Sequence, residues 1–198
     1  MALDICRDQN IRAYPSALNR AGRIFAYDYK TGLEYLEEAA TEARRLSDGW
    51  FWCASLVEYV ELACQAWLAT EDPEYRAAID EKADDIRQSM SEYHFADLEG
   101  RWLIVTANLA LQDWIAHRDD ALLDPAMRGY AEGFRLLAQG QFGSSGASSI
   151  PPRFTDFSSM FASLPTAEQQ RWVGELHRSW RNIGDGSTAL LACLEQLY

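Results

Sequence analysis

Apolar residues recur along this chain at the spacing of amphipathic helices, and no segment keeps the period-two alternation of a strand. A first predicted helix runs from about Ile11 to Ala26, with Leu18, Ala21, Gly22 and Phe25 on one side at i, i+3, i+4 and i+7. A turn at Asp28 and Tyr29 leads to a second helix ending near Leu46. Its apolar stripe is Leu33, Leu36, Ala40 and Ala43, with Glu37, Glu38 and Glu42 outside it. Ser47, Asp48 and Gly49 punctuate its end. The third helix, about Trp50 to Ala69, carries two adjoining stripes: Trp52, Leu56, Val60, Ala63 and Trp67, then Cys53, Val57, Cys64 and Leu68. Apolar over so much of its circumference, it must be covered on two sides. Only Glu58, Glu61 and Gln65 keep a polar edge.

Glu71, Asp72 and Pro73 open a fourth helix to about Tyr93, with Ile79, Ala83, Ile86 and Met90 facing inward. A fifth runs from about Leu98 to His117. A sixth runs from about Pro125 to Ala138, with Met127, Tyr130, Phe134 and Leu137 on one side. The segment from Gly140 to Phe154 is small, polar and rich in breakers, which predicts a loop or cover strap over residues 140–153. Phe157 to Leu164 predicts a short helix. Thr166 and Gln169 have the spacing of a capping box for a helix carrying Trp172, Leu176 and Trp180. Gly184, Asp185, Gly186 and Ser187 break it, and Ser187 is placed to cap a last helix. The fold class is all-α.

Net charge is −12, which argues against nucleic acid and against an anionic membrane surface as partner. The acid is concentrated: Glu58 to Glu99 holds twelve Asp and Glu against Arg76, Lys82 and Arg87. That stretch is either a solvated face or a docking surface for a basic partner. Four scattered cysteines without a C-x-x-C spacing, and a start with no secretory pattern, point to free thiols in a reducing cytoplasm. No apolar run approaches the roughly 20 residues that cross a bilayer.

Candidate chemistry is thin. His94, His117 and His177 are not paired at helical spacing, so no metal site is expected. Asp119, Asp120 and Asp124 resemble the acidic magnesium motif of isoprenoid synthases with one residue too many, and capping of the sixth helix or its leading turn explains Asp119 and Asp120. Gly140, Gly143 and Gly146 lack the lysine and preceding strand of a phosphate loop. Ser144 lacks the glycine spacing of a nucleophile elbow. No catalytic residue and no cofactor are expected.

The segment from Ser16 to Ala39 resembles a tetratricopeptide repeat (TPR). Ala21 and Gly22 precede Phe25 as small residues precede an aromatic in that family's first helix. Asp28 and Tyr29 precede Gly32, Leu36 and Ala39 in the order of its second. The connection from Phe25 to Gly32 is about two residues shorter than usual, and the later spacing is roughly 40 to 46 residues against ~34. More generally, the arrangement resembles the helical C-terminal sensor regions of bacterial STAND-type signalling NTPases. The resemblance implies a TPR-like α-α superhelix over residues 1–139, of about three helix pairs, with a C-terminal helical cap at 154–198 packed with it as one domain. It implies a concave groove along the inner helices, lined by Arg12, Ser16, Asn19, Arg23, Glu58, Glu61, Gln65, Arg101, Asn108 and Gln112. The expected function is a non-catalytic protein-interaction or ligand-sensing scaffold for a protein or peptide, as a homo-oligomer or as one part of a larger bacterial signalling or defence NTPase. The rival is a small acidic inhibitor of the immunity type that blocks a basic toxin or nuclease.

Overall fold

The structure is a computed structural model and describes residues 13–139, 144–181, 183 and 186–197. Cys6, the candidate Arg12, the first part of the predicted 140–153 loop and most of the predicted break before Ser187 lie outside the described residues. What is described is all-α, with no strand among the described residues. The chain divides into two compact units, the first ending at Phe95 and the second beginning at Ala96.

Polar punctuation sets the helix ends. Asp28 caps the second helix, accepting from the Thr31 N–H at 3.3 Å and the Thr31 hydroxyl at 2.8 Å. These bonds hold its carboxyl below the ordinary value. Ser47, Glu71, His94 and Arg118 each close a helix in the left-handed region, with φ of 55°, 57°, 48° and 54°. Three of them are followed at once by an aspartate. The carboxylates of Asp48, Asp72 and Asp119 accept from the N–H groups of Phe51, Glu74 and Ala121 at 3.2, 3.0 and 3.0 Å. One left-handed residue and one capping aspartate thus reverse the chain in a few positions.

In the first unit, α1 (Tyr14–Ile24), α2 (Tyr29–Arg45), α3 (Gly49–Thr70) and α4 (Pro73–Tyr93) follow one another. α2 packs on α1 and α3, and α3 packs on α4. Close approach requires glycine at two places. A Cβ on Gly22 would lie 2.5 Å from Leu36 Cγ and 3.0 Å from the Gly32 carbonyl oxygen, and one on Gly32 would lie 2.7 Å from Leu62 Cδ2. More than half of α3 is buried, from Trp52 through Ala66. α4 by contrast buries only Ile79, Ile86 and Ser89.

The second unit holds α5 (Ala96–His117), α6 (Asp120–Gln139), α7 (Ser144–Phe161), α8 (Thr166–Trp180), α9 (Gly186–Leu194) and a 3-10 turn at Glu195–Leu197. α5 and α6 form its most extensive pair, so the third expected pair groups with the C-terminal helices. A Cβ on Gly133 would lie 2.8 Å from the Gly100 carbonyl oxygen. α7, α8 and α9 close over α6 around Tyr130, Phe134, Phe154, Phe157 and Trp180, all essentially inaccessible. The rings of Phe134 and Trp180 meet edge to face at 5.7 Å, and the Trp180 indole donates to the Ala131 carbonyl at 2.8 Å.

Three expectations are corrected here. Residues 144–153 are not loop but the first part of α7, despite Pro151 and Pro152. Ile150, Phe154, Phe157 and Phe161 form its buried stripe, and that burial outweighs the local breaker signal. α6 begins at Asp120, with Pro125 inside it. Thr166 is not the cap of α8; Pro165 holds that position without a side-chain bond. Gln169 instead donates to the carbonyls of Leu164 and Ala162, at 2.8 and 3.2 Å, and ties off the end of α7.

Two glycine substitutions of opposite sign test this packing. Gly133→Ala should destabilise by about 1–3 kcal/mol, because backbone blocks its Cβ. Gly174→Ala, with nothing within 4 Å of the added Cβ, should stabilise by about 0.5–1 kcal/mol. Urea unfolding of the two variants measures both.

Candidate functional site

α2 and α4 flank α3 on either side, and the strip of α3 between them is the floor of a groove. Trp52, Leu56 and Tyr59, at i, i+4 and i+7, form that floor. Glu37, Thr41 and Arg44 form the α2 wall; Lys82, Asp85, Gln88 and Glu92 form the α4 wall. The open space is about 380 Å³ around Lys82 and about 430 Å³ around Tyr93. Arg44 and Trp52 belong to both ends.

The walls are joined by charge. Lys82 Nζ donates to Glu37 Oε1 at 2.6 Å and lies 5.5 Å from the centre of the Tyr59 ring. Arg44 donates to Asp85 Oδ1 and Gln88 Oε1, both at 3.5 Å, with its guanidinium 4.8 Å from the centre of the Trp52 ring. The exposed Arg44–Asp85 pair contributes roughly 0.2–1 kcal/mol, and the Arg44–Trp52 cation–π contact about 0.5–1. The walls are therefore held weakly at Arg44 and more closely at Lys82, whose side chain is 14% accessible, over a floor that is part of the hydrophobic core.

The electrostatics follow from burial and partners. Burial pulls the Lys82 ammonium down, but the hydrogen bond and charge of Glu37, with Glu81 nearby, outweigh it and raise the group above its ordinary value. Burial, assisted by the Glu37 charge, pushes the Tyr59 phenol up. Burial likewise raises the Cys53 thiol, so this cysteine is packing material and not a poised nucleophile.

Of the ten residues named from sequence, the nine described ones fall elsewhere. Asn19 is buried and its amide donates to the buried Ser55 hydroxyl at 3.3 Å, bridging α1 and α3. Ser16 is half-buried and Arg23 exposed on α1. Glu58 and Glu61 are half-buried and Gln65 exposed, on a face of α3 about half a turn round from Trp52, Leu56 and Tyr59. Arg101, Asn108 and Gln112 are half-buried on α5 in the second unit. Asn108 Oδ1 accepts from the Tyr130 hydroxyl at 2.6 Å, which places it at the α5–α6 contact. Arg12 lies outside the described residues. His94, His117 and His177 are exposed and far apart in sequence, and no cluster of three metal-ligating side chains occurs among the described residues. No helix among them is long and apolar enough to cross a membrane.

Sequence reasoning missed the groove because its floor looks like core and its walls look like solvent faces. The available signal was Trp52, Leu56 and Tyr59 in one row, with Glu37, Thr41 and Arg44 repeating the same i, i+4, i+7 spacing on α2.

Two substitutions probe this geometry. Gly49→Ala places a Cβ against the Tyr93 ring, which is partly exposed and can swing aside, so the Trp52–Tyr93 contact should be lost from NMR spectra while helicity is kept. Lys82→Met should cost about 0.5–2 kcal/mol at neutral pH. Because the native ammonium titrates above its unfolded value, that difference is full below about pH 10.4 and should shrink as pH rises beyond it, by urea unfolding from pH 7 to 11. No protein-family model, curated protein or solved structure matches this chain.

Proposed function

We propose that this chain is a non-catalytic, TPR-like interaction scaffold that binds a peptide or an extended segment of a partner protein along the groove between α2 and α4. One observation carries the proposal: a packed floor of Trp52, Leu56 and Tyr59 bounded by polar walls, where the Arg44–Asp85 pair is exposed and individually weak. A partner's charged groups can replace that pair at little cost, while Trp52, Leu56 and Tyr59 stay in place as packed core. Rigid floors with exchangeable rims are what peptide recognition by a folded surface requires. The setting suggested by the repeat resemblance is the sensor part of a larger cytoplasmic signalling or defence NTPase of bacteria.

A second reading is favoured by a separate feature. The outer side of α4 exposes Asp80, Glu81 and Asp84, with the Asp84 side chain 94% accessible. An acidic inhibitor would use that face to attract a basic partner through long-range steering.

The test is selection of random peptides displayed on phage against the immobilised protein. Selected peptides should bind at least tenfold more weakly to Thr41→Arg, which fills the groove from an exposed wall position. Peptides that ignore Thr41→Arg but are lost in Glu58→Lys/Glu61→Lys would move the site to the opposite face of α3. Binders indifferent to both, with association rates falling steeply with salt, would replace the groove by the acidic face of α4.

A further inference from the structure

The Tyr93 end of the groove differs in chemistry from the Lys82 end. At the Lys82 end the cation is already bonded to Glu37 and nearly enclosed, with its side chain 14% accessible. At the Tyr93 end, Trp52 and Tyr93 meet edge to face at 6.1 Å, and the carboxylates of Asp48 and Glu92 line the same space. One oxygen of Asp48 accepts the Phe51 N–H at 3.2 Å, and one oxygen of Glu92 accepts from Gln88 at 2.9 Å. No described cation lies within ion-pair distance of either carboxylate. This space therefore combines two aromatic rings, the Arg44 guanidinium and two carboxylates that have no cationic partner within ion-pair distance among the described residues.

We infer that this end of the groove receives an arginine side chain from the bound partner. The inference rests on the scaffold reading and names the chemistry of its ligand. Three observations select a guanidinium. The Trp52 ring already accepts one, since Arg44 lies over it at 4.8 Å, so this ring is a working cation platform. Arg44 is held there loosely, by two hydrogen bonds of 3.5 Å and with its side chain 52% accessible, so it can yield the ring to a competitor. A planar group able to stack on a ring while bonding a carboxylate fits a corner of rings and acids better than a compact ammonium. The first unit, residues 1–95, carries 18 acidic and 10 basic side chains, a net charge of −8 that favours approach of a cation.

The experiment titrates the isotope-labelled full chain with a blocked pentapeptide of glycine and serine around one central arginine, followed by NMR. The Gly49 amide and the Trp52 indole should shift, with an apparent Kd at least fivefold weaker when citrulline replaces arginine. Asp48→Asn/Glu92→Gln should weaken arginine binding at least fivefold, and asparagine keeps the cap on α3, so the fold is preserved. Arg44→Ala, by removing the internal occupant of the Trp52 face, should tighten binding about twofold or more. The inference is overturned if the arginine peptide shifts neither signal. It is equally overturned if a glutamate peptide binds there and Arg44→Ala abolishes that binding. Display-selected peptides that need Thr41 and Lys82 but ignore Asp48→Asn/Glu92→Gln would overturn this inference while leaving the scaffold reading intact.

Discussion

The first unit is organised by the need to hide α3. Its apolar residues run nearly all the way round, so it cannot rest on one neighbour as an ordinary surface helix does. α2 covers one flank and α4 another. Two cylinders laid against a third leave a strip between them, and here that strip presents Trp52, Leu56 and Tyr59. The groove is a by-product of covering a helix that is too apolar for one partner. Glycines at positions 22 and 32 let α1, α2 and α3 approach closely enough for the covering to work.

Polar chemistry then finishes what packing begins. α4 contributes few buried side chains, so its outer edge is steadied across the gap by Lys82 with Glu37 and by Arg44 with Asp85. Both cations also rest over aromatic rings of the floor. The Arg44–Asp85 pair defines the shape of the opening more than it stabilises the fold, because both partners are about half exposed. The second unit solves its packing problem by another route. Its helices meet around a cluster of phenylalanines, Tyr130 and Trp180, with α5 and α6 brought together at Gly100 and Gly133.

Several elements were legible because their signals are local. The turn at Asp28, the break at Ser47, Asp48 and Gly49 and the helix opening at Asp72 fall where the sequence puts them, each aspartate being a cap, and helical spacing of Leu33, Leu36, Ala40 and Ala43 predicts the buried side of α2. The candidate site was far less legible. Asn19 and Asn108 have the look of groove-lining amides, yet each is spent on a partner in a neighbouring helix, Ser55 and Tyr130. Glu58, Glu61 and Gln65 do share one edge of α3, as their spacing requires, but the groove opens on the other side. Spacing fixes which residues share a face; it does not state which face a neighbour will cover.

Sequence alone determined the helical class, most helix limits and the demand that α3 be enclosed, because each follows from hydrogen bonds and periodicities confined to a few residues. Tertiary structure alone decided that residues 144–153 coil into α7, that the chain condenses as two units, and that walls from α2 and α4 flank the row of Trp52, Leu56 and Tyr59. Those outcomes depend on surfaces far apart in sequence meeting in space, and the free energy of burying Ile150 and Phe154 against distant helices outweighs what glycine, serine and proline prefer locally.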